Sequence, residues 1–303
     1  MKTMKIGITL KQTAYTPEAF AYEKYLQSKG HSVQLDFAES LNADNDINIY
    51  FMGTRPFWKP KIGSAIEIHE YQSLSVPPYS RLKDIIKKVI NKKPQGRIFL
   101  NNIVKTDLNF TDNCPYITRD MGVDDAFFSS MQESGEKEYD IVYSGTIDAR
   151  IGLVNMLHVL AMQGYSILVI GDISIDSQKY LESTNNVRCM GKVAYQDLPA
   201  LYRKAIYGLN YTPDIYPFNV QTSTKTLEYL ASGLKLISNR YDWIERFCIK
   251  HHYSPIWLEG LIDGQELVDI NLNNNRPNME EYRWSSILEN AQFDEFLLSL
   301  LKE

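Results

Sequence analysis

The chain has 303 residues, 44% of them hydrophobic, which is enough for one large domain or two of ordinary size with a buried core and argues against disorder. A net charge of -5 argues against a general nucleic-acid binder, and no apolar run approaches the ~18 residues of a membrane span. Cys114, Cys189 and Cys248 are odd in number, widely spaced and outside any metal-binding spacing, so they read as reduced core thiols of a cytoplasmic protein.

At the start, the apolar stretch Ile6 to Leu10 is too short for a signal-peptide core and reads as a first strand, Lys5 to Leu10. A helical pattern through Glu18 to Ser28, a stop at Gly30 and a strand Ser32 to Phe37 complete a β-α-β unit. Further buried strands are expected at Ile47 to Met52, at Ala65 to Ile68 running into His69-Glu70-Tyr71, and at Arg97 to Leu100. Between the last two lies RLKDIIKKVINKKPQGR, residues 81–97, basic in an acidic chain and with apolar residues at helical spacing. It reads either as a core-packed helix with a solvated basic face or as a helix resting on an anionic membrane surface.

Around 131–138 the sequence turns polar and loses periodicity, which marks a linker. A second series follows: strand Tyr139 to Ser144, helix Gly152 to Gln163, strands Ser166 to Ile170 and Val187 to Met190, helix Gln196 to Lys204, strand Ala205 to Asn210, a long loop, helix Ser223 to Ala231 and strand Leu234 to Ser238. The asparagine-rich stretch 271–278 is loop, and Met279 to Leu301 returns to helix with an apolar face to bury. The expected organisation is α/β: a Rossmann-like domain over 1–135, a second over 136–275, and a C-terminal helix over 276–303 that packs back on the first, with the ligand site in the cleft between the domains.

The most informative segment is YTPDIYPFNVQTSTKTLEYLASGLKLISN, residues 211–239. Thr222, Ser223 and Thr224 precede a helix opening with Lys225, and free amides, hydroxyls and a lysine at a helix start make a phosphate site. Glu228, one turn further in, is placed to accept hydrogen bonds from ribose hydroxyls. The bland alternative is a capping Ser223 or Thr224 with Lys225 and Glu228 in solvent.

Lys225-Thr226-Leu227-Glu228-Tyr229-Leu230-Ala231-Ser232-Gly233 resembles the K-x-x-E-Y-L-A-x-G stretch of retaining GT-B glycosyltransferases of family 4, with Tyr143-Ser144-Gly145, Arg150, Gly171, Gly191-Lys192-Val193, Met121-Gly122-Val123-Asp124 and Trp284 in matching order. The resemblance implies two Rossmann-like domains facing a central cleft, and a donor held as a UDP- or GDP-sugar. It places Glu228 on the ribose, Thr222 to Thr224, Arg150 and Gly145 at the diphosphate, Lys192 and Val193 beside the base, and His69 with Glu70 in the catalytic part. Two positions depart from the pattern: Ile151 stands where a second basic residue is usual, and Val220 where the first of two glutamates is usual, leaving Asn219 as a replacement contact. The implied acceptor is a glycan or polyprenyl-linked lipid, in bacterial surface-polysaccharide assembly. Front-face attack lets the leaving diphosphate take the acceptor proton, so neither metal nor cofactor is called for, and Asp44-Asn45-Asp46 reads as a turn. The competing readings are a catalytically silent homologue that binds a partner, and a nucleotide-sugar epimerase of similar fold.

Overall fold

The computed structural model describes residues 3–11, 16–51, 55–75, 78–129, 136–267 and 276–302. Within these, the strands in chain order are β1 (Lys5–Thr9), β2 (Ser32–Asp36), β3 (Ile47–Phe51), β4 (Ile66–Tyr71), β5 (Gly96–Phe99), β6 (Tyr116–Thr118), β7 (Tyr139–Ser144), β8 (Ile167–Ile170), β9 (Val187–Cys189), β10 (Ala205–Asn210), β11 (Lys235–Ser238) and β12 (Ile256–Trp257). The helices are α1 (Pro17–Ser28), α2 (Ser80–Ile90), α3 (Asn102–Leu108), α4 (Asp125–Ser129), α5 (Leu153–Met162), α6 (Ile175–Glu182), α7 (Leu198–Tyr202), α8 (Thr224–Ala231), α9 (Asp242–His251), α10 (Leu258–Ile262), α11 (Trp284–Asn290) and α12 (Phe293–Leu300). They form two compact units, Met1–Gly122 with Tyr282–Glu303, and Val123–Glu281. Of the polar stretches expected as linker and loop, residues 131–135 and 271–275 lie outside the described residues.

The first unit is a six-stranded sheet in the order β2-β1-β3-β4-β5-β6, parallel throughout. Side chains alternate across it. Ile6, Ile8, Ile47, Ile49, Phe51, Ile68 and Ile98 are buried on one face, where Tyr22 of α1 reaches Phe51 at 5.8 Å between ring centres. Tyr22 also meets Trp284 and Phe293 at 6.2 and 4.6 Å, so α11 and α12 close this core. The single helix expected over Met279 to Leu301 is instead a 3-10 turn, Met279–Tyr282, then α11 and α12, broken at Gln292, whose φ is 52°. The break lets Trp284 and Phe293 both turn inward. Gly122 has to be a glycine here, because a Cβ would lie 2.4 Å from the Trp284 ring.

The opposite face of this sheet is polar. It carries Asn48, Tyr50, Glu67, His69 and Arg97, all buried. No residue of α2 is fully buried, and this helix is oriented against the usual rule. Lys87 donates to Ser75 Oγ (2.8 Å) and Asp84 accepts from the Ser75 amide (3.3 Å), whereas Leu82, Ile85, Ile86 and Val89 are exposed. The apolar stripe thus faces outward, not into a core.

The second unit is also a parallel six-stranded sheet, in the order β12-β11-β10-β7-β8-β9. Ile141, Ile167, Val169, Leu209 and Ile237 pack from its strands with Leu153, Leu157 and Leu160 of α5. The expected helix Gln196 to Lys204 is a 3-10 turn, Tyr195–Asp197, followed by α7, which carries Pro199 in its first turn where a missing N–H is tolerated. The strand order reverses between β7 and β10, and in open α/β sheets the crevice at the carboxyl ends beside such a reversal is where ligands bind. Among the described residues no helix is long and apolar enough to cross a membrane.

Candidate functional site

At that reversal the second unit holds a cavity of about 320 Å³, within the range of small-ligand clefts. Its walls are the ends of β7 (Tyr143 to Thr146) and β10 (Leu209 to Thr212), Arg150, and the segment Gln221 to Lys225 that starts α8. The lining contains two cations, Arg150 and Lys225, and no carboxylate, in a chain whose net charge is -5. An anion is the ligand such a lining favours.

The sequence around it is built for close backbone approach. Gly145 adopts φ 146°, and its amide donates to the Ile170 carbonyl (2.9 Å). Gly171 at the end of the neighbouring strand has φ 147°, and a Cβ there would strike the Gly145 carbonyl at 1.9 Å. At the start of α8, Ser223 Oγ accepts from the Thr226 amide (3.2 Å) and donates to Asn210 Oδ1 (2.9 Å), which fixes the helix N-terminus against the end of β10. The capping alternative is therefore realised, and it coexists with the cavity, because Thr222, Ser223, Thr224 and Lys225 all line it. The remaining first-turn amides have no partner within the helix, and the helix dipole adds partial positive charge.

Lys225 is half-buried. Burial alone would lower its pKa, but the Glu228 carboxylate, 2.7 Å from Nζ, outweighs that and holds it above a free lysine. Glu228 is only 2% exposed and does not line the cavity. It accepts from Lys225 and, at 3.3 Å, from the Tyr202 hydroxyl. Tyr202 hydrogen-bonds Ser144 Oγ in turn, and the Ser144 amide donates to the Tyr229 hydroxyl (2.8 Å). Burial, then the proximity of Glu228, pushes the Tyr202 hydroxyl well above its usual pKa, so it stays a donor. Tyr143 is pushed up to about 12 by burial, against the pull of Arg150 and Lys225. Ser144, Tyr202 and Tyr229 form the hydrogen-bonded surroundings of Glu228; in the sequence Ser144 and Tyr229 stand inside the stretches that carry the resemblance, with no role assigned, and Tyr202 lies in an expected helix.

Other expected residues lie apart from the cavity wall. Lys192 is exposed and pairs with Asp172 (2.8 Å), and Val193 follows it in the loop after β9, two strands from β7. Asn219 sits in the 3-10 turn Phe218–Val220 and donates to Asp214 (2.8 Å), while its neighbours Phe218 and Gln221 line the cavity. Ile151 is 77% exposed, and its carbonyl accepts from Tyr211 (2.8 Å).

His69 and Glu70 belong to the first unit. His69 is fully buried inside β4, edge-on to Tyr50 and Tyr71, and neither ring nitrogen has a hydrogen-bond partner. Burial first, then Arg55, Arg97 and Lys92, lowers its pKa to about 3, so the ring is neutral. Glu70 points to the other face, where it is ion-paired with Arg119, which also donates to the Tyr22 hydroxyl (2.6 Å). Asp44 pairs with Lys5, and among the described residues no group of three or more His, Cys, Asp or Glu side chains could hold a metal ion.

No family model matches the chain, and no curated protein matches it. Solved structures do. AviGT4, a glycosyltransferase involved in avilamycin A biosynthesis, has a TM-score of 0.62 at 13% identity, covering 99% of this chain and 98% of that one. Sucrose-phosphate synthase from Thermosynechococcus elongatus gives 0.66 at 12%, covering 98% and 99%. The T4 phage BGT, in complex with UDP and Mn2+, gives 0.54 at 15%, covering 99% of both. At such identities the likeness speaks to architecture, and it agrees with the two parallel sheets described above: this chain has the GT-B fold of glycosyltransferases, two Rossmann-like units in one polypeptide.

Proposed function

We propose that the chain is a glycosyltransferase of family 4 type that moves a sugar from a nucleoside-diphosphate donor to a glycan or polyprenyl-linked acceptor, with retention, in bacterial surface-polysaccharide assembly. The carrying observation is the cavity at the β7/β10 reversal, lined by Arg150, Lys225 and the Thr222 to Thr224 helix start without any carboxylate. In this reading the donor diphosphate lies against that helix start with Arg150 and Lys225 as counter-charges. The bond between the anomeric carbon and the diphosphate oxygen breaks, the acceptor oxygen takes its place on the same face, and the acceptor proton leaves on the diphosphate.

Glu228 takes the ribose hydroxyls once Lys225 swings from it to the diphosphate. Lys192, Val193 and Asn219 keep their proposed contacts to the base and the sugar. A catalytic part for His69 and Glu70 would require an opening over β4. An anionic membrane surface reached through residues 81–97 belongs to the same reading, since a polyprenyl-linked acceptor resides there.

The test is isothermal titration with UDP, GDP and ADP, with and without Mn2+, on the native chain and on Glu228→Ala. One nucleotide is expected to saturate, with at least tenfold weaker binding (about 1.4 kcal/mol) by the variant. Failure of all three to bind would favour the silent, partner-binding homologue.

A further inference from the structure

The outward stripe of α2 does not stand alone. Leu82, Ile85, Ile86 and Val89 occupy positions i, i+3, i+4 and i+7 and are 54, 53, 45 and 74% exposed. At the C-terminal end of this helix the Phe57 amide donates to the Ile90 carbonyl (2.9 Å), and the Arg55 amide to Asn91 Oδ1 (2.8 Å). That tether holds Phe57 and Trp58 beside the stripe, edge to face at 5.0 Å and each 63% exposed. Tyr79, at the other end, is 76% exposed.

The charge around the stripe is predominantly positive. Residues 79–93 contain six lysines and arginines against Asp84 alone, and the Phe57–Trp58 turn adds Lys59 and Lys61, whereas Arg55 is buried and paired with Glu67, which also lies 3.6 Å from Lys92, and Glu39 lies 3.3 Å from Lys59. Asp84 is turned toward Ser75, so its charge is spent inward. Exposed aliphatic side chains flanked by Trp, Phe and Tyr and rimmed by lysines match the chemistry of a bilayer interface: acyl chains for the stripe, the headgroup level for the aromatic rings, anionic headgroups for the lysines. A water-facing helix of a soluble surface would have the reverse orientation, with its lysines outward.

We propose that α2 and the Phe57–Trp58 turn form a monotopic anchor that inserts its apolar side into an anionic lipid bilayer. This deepens the membrane part of the proposed function and rests on it. Contact is made by the aliphatic stripe, with the basic residues at its rim, rather than by a basic face lying on the headgroups.

The experiment is flotation of the full chain with vesicles of phosphatidylcholine alone and of phosphatidylcholine with phosphatidylglycerol, followed by Trp58 emission. Of the four tryptophans, Trp58 is the most exposed, so its insertion is expected to shift emission to the blue, and Trp58→Phe to abolish the shift. Binding is expected only with the anionic lipid. Leu82→Ser with Ile86→Ser is expected to weaken it at least tenfold while leaving the thermal midpoint and nucleotide titration unchanged, both side chains being exposed. Absence of binding by the native chain, or equal binding by the double variant, overturns the anchor. So does a native dimer that the double variant converts to a monomer, which would assign the stripe to a second copy. Because nucleotide binding is read separately, failure here leaves the donor site standing, and failure there leaves the anchor standing.

Discussion

His69 sets a measurable pH dependence. Its ring is buried without a hydrogen-bond partner, and its pKa falls to about 3, against about 6.5 in an unfolded chain. Above about pH 7 both states are neutral and the residue contributes no slope. As pH falls from about 6.5 toward about 3, the unfolded chain takes up a proton that the fold refuses, and stability drops by up to about 1.4 kcal/mol per pH unit. Replacing His69 by Leu is expected to remove that component and, since two orphaned ring nitrogens go with it, to stabilise the first unit by about 1 kcal/mol at neutral pH. Urea midpoints of the native chain and His69→Leu, measured between about pH 7 and pH 5, check this: parallel curves would mean that His69 is hydrated or partnered in solution.

Arg119 ties elements together. It follows β6, pairs with Glu70 of β4, donates to Tyr22 of α1 and lies over the Trp284 ring of α11 at 5.2 Å. Both charged side chains are fully buried, so Arg119→Leu would strand a carboxylate and is expected to cost about 3–5 kcal/mol in chemical denaturation. Recovery of most of that loss by adding Glu70→Gln would show the penalty to be the unpaired charge. None of this hub was legible in the sequence, because Glu70 and Arg119 are 49 residues apart and nothing local pairs them. The buried strands were legible: parallel strands covered on both faces read as short apolar runs, and β7 and β10 have the bounds expected. β6 and β12, three and two residues long, are too short for a pattern. For α2 the periodicity revealed two faces but not which one faces the protein, since that depends on Ser75, outside the helix, which takes both Asp84 and Lys87. At the β7/β10 cavity the K-x-x-E spacing pointed to Lys225, which lines it, and to Glu228, which pairs with Lys225 behind the wall, whereas the Tyr202 hydroxyl that donates to Glu228 comes from α7 and carries no motif.

At the scale of the molecule, residues 282–303 belong to the unit begun by residues 1–122. A chain stopped after Glu281 would lack Trp284, Leu288, Phe293 and Leu297, all buried, and is expected to lose the cooperative unfolding of the first unit. The second unit is continuous, and in that shortened chain it should bind nucleotide as the full chain does. Calorimetry of the shortened chain with and without nucleotide checks both: a surviving two-transition profile would mean that α11 and α12 are dispensable.

The same interruption has a consequence for synthesis on the ribosome. Domains ordinarily fold in the order in which they emerge. Here the segment that completes the first core is made only after the second unit, and Gly122 waits through 159 residues of that unit, Val123–Glu281, before Trp284 arrives to cover it. The later-made unit is thus the first to have its whole sequence available, and the nascent first unit presents an open apolar face until α11 and α12 have followed it.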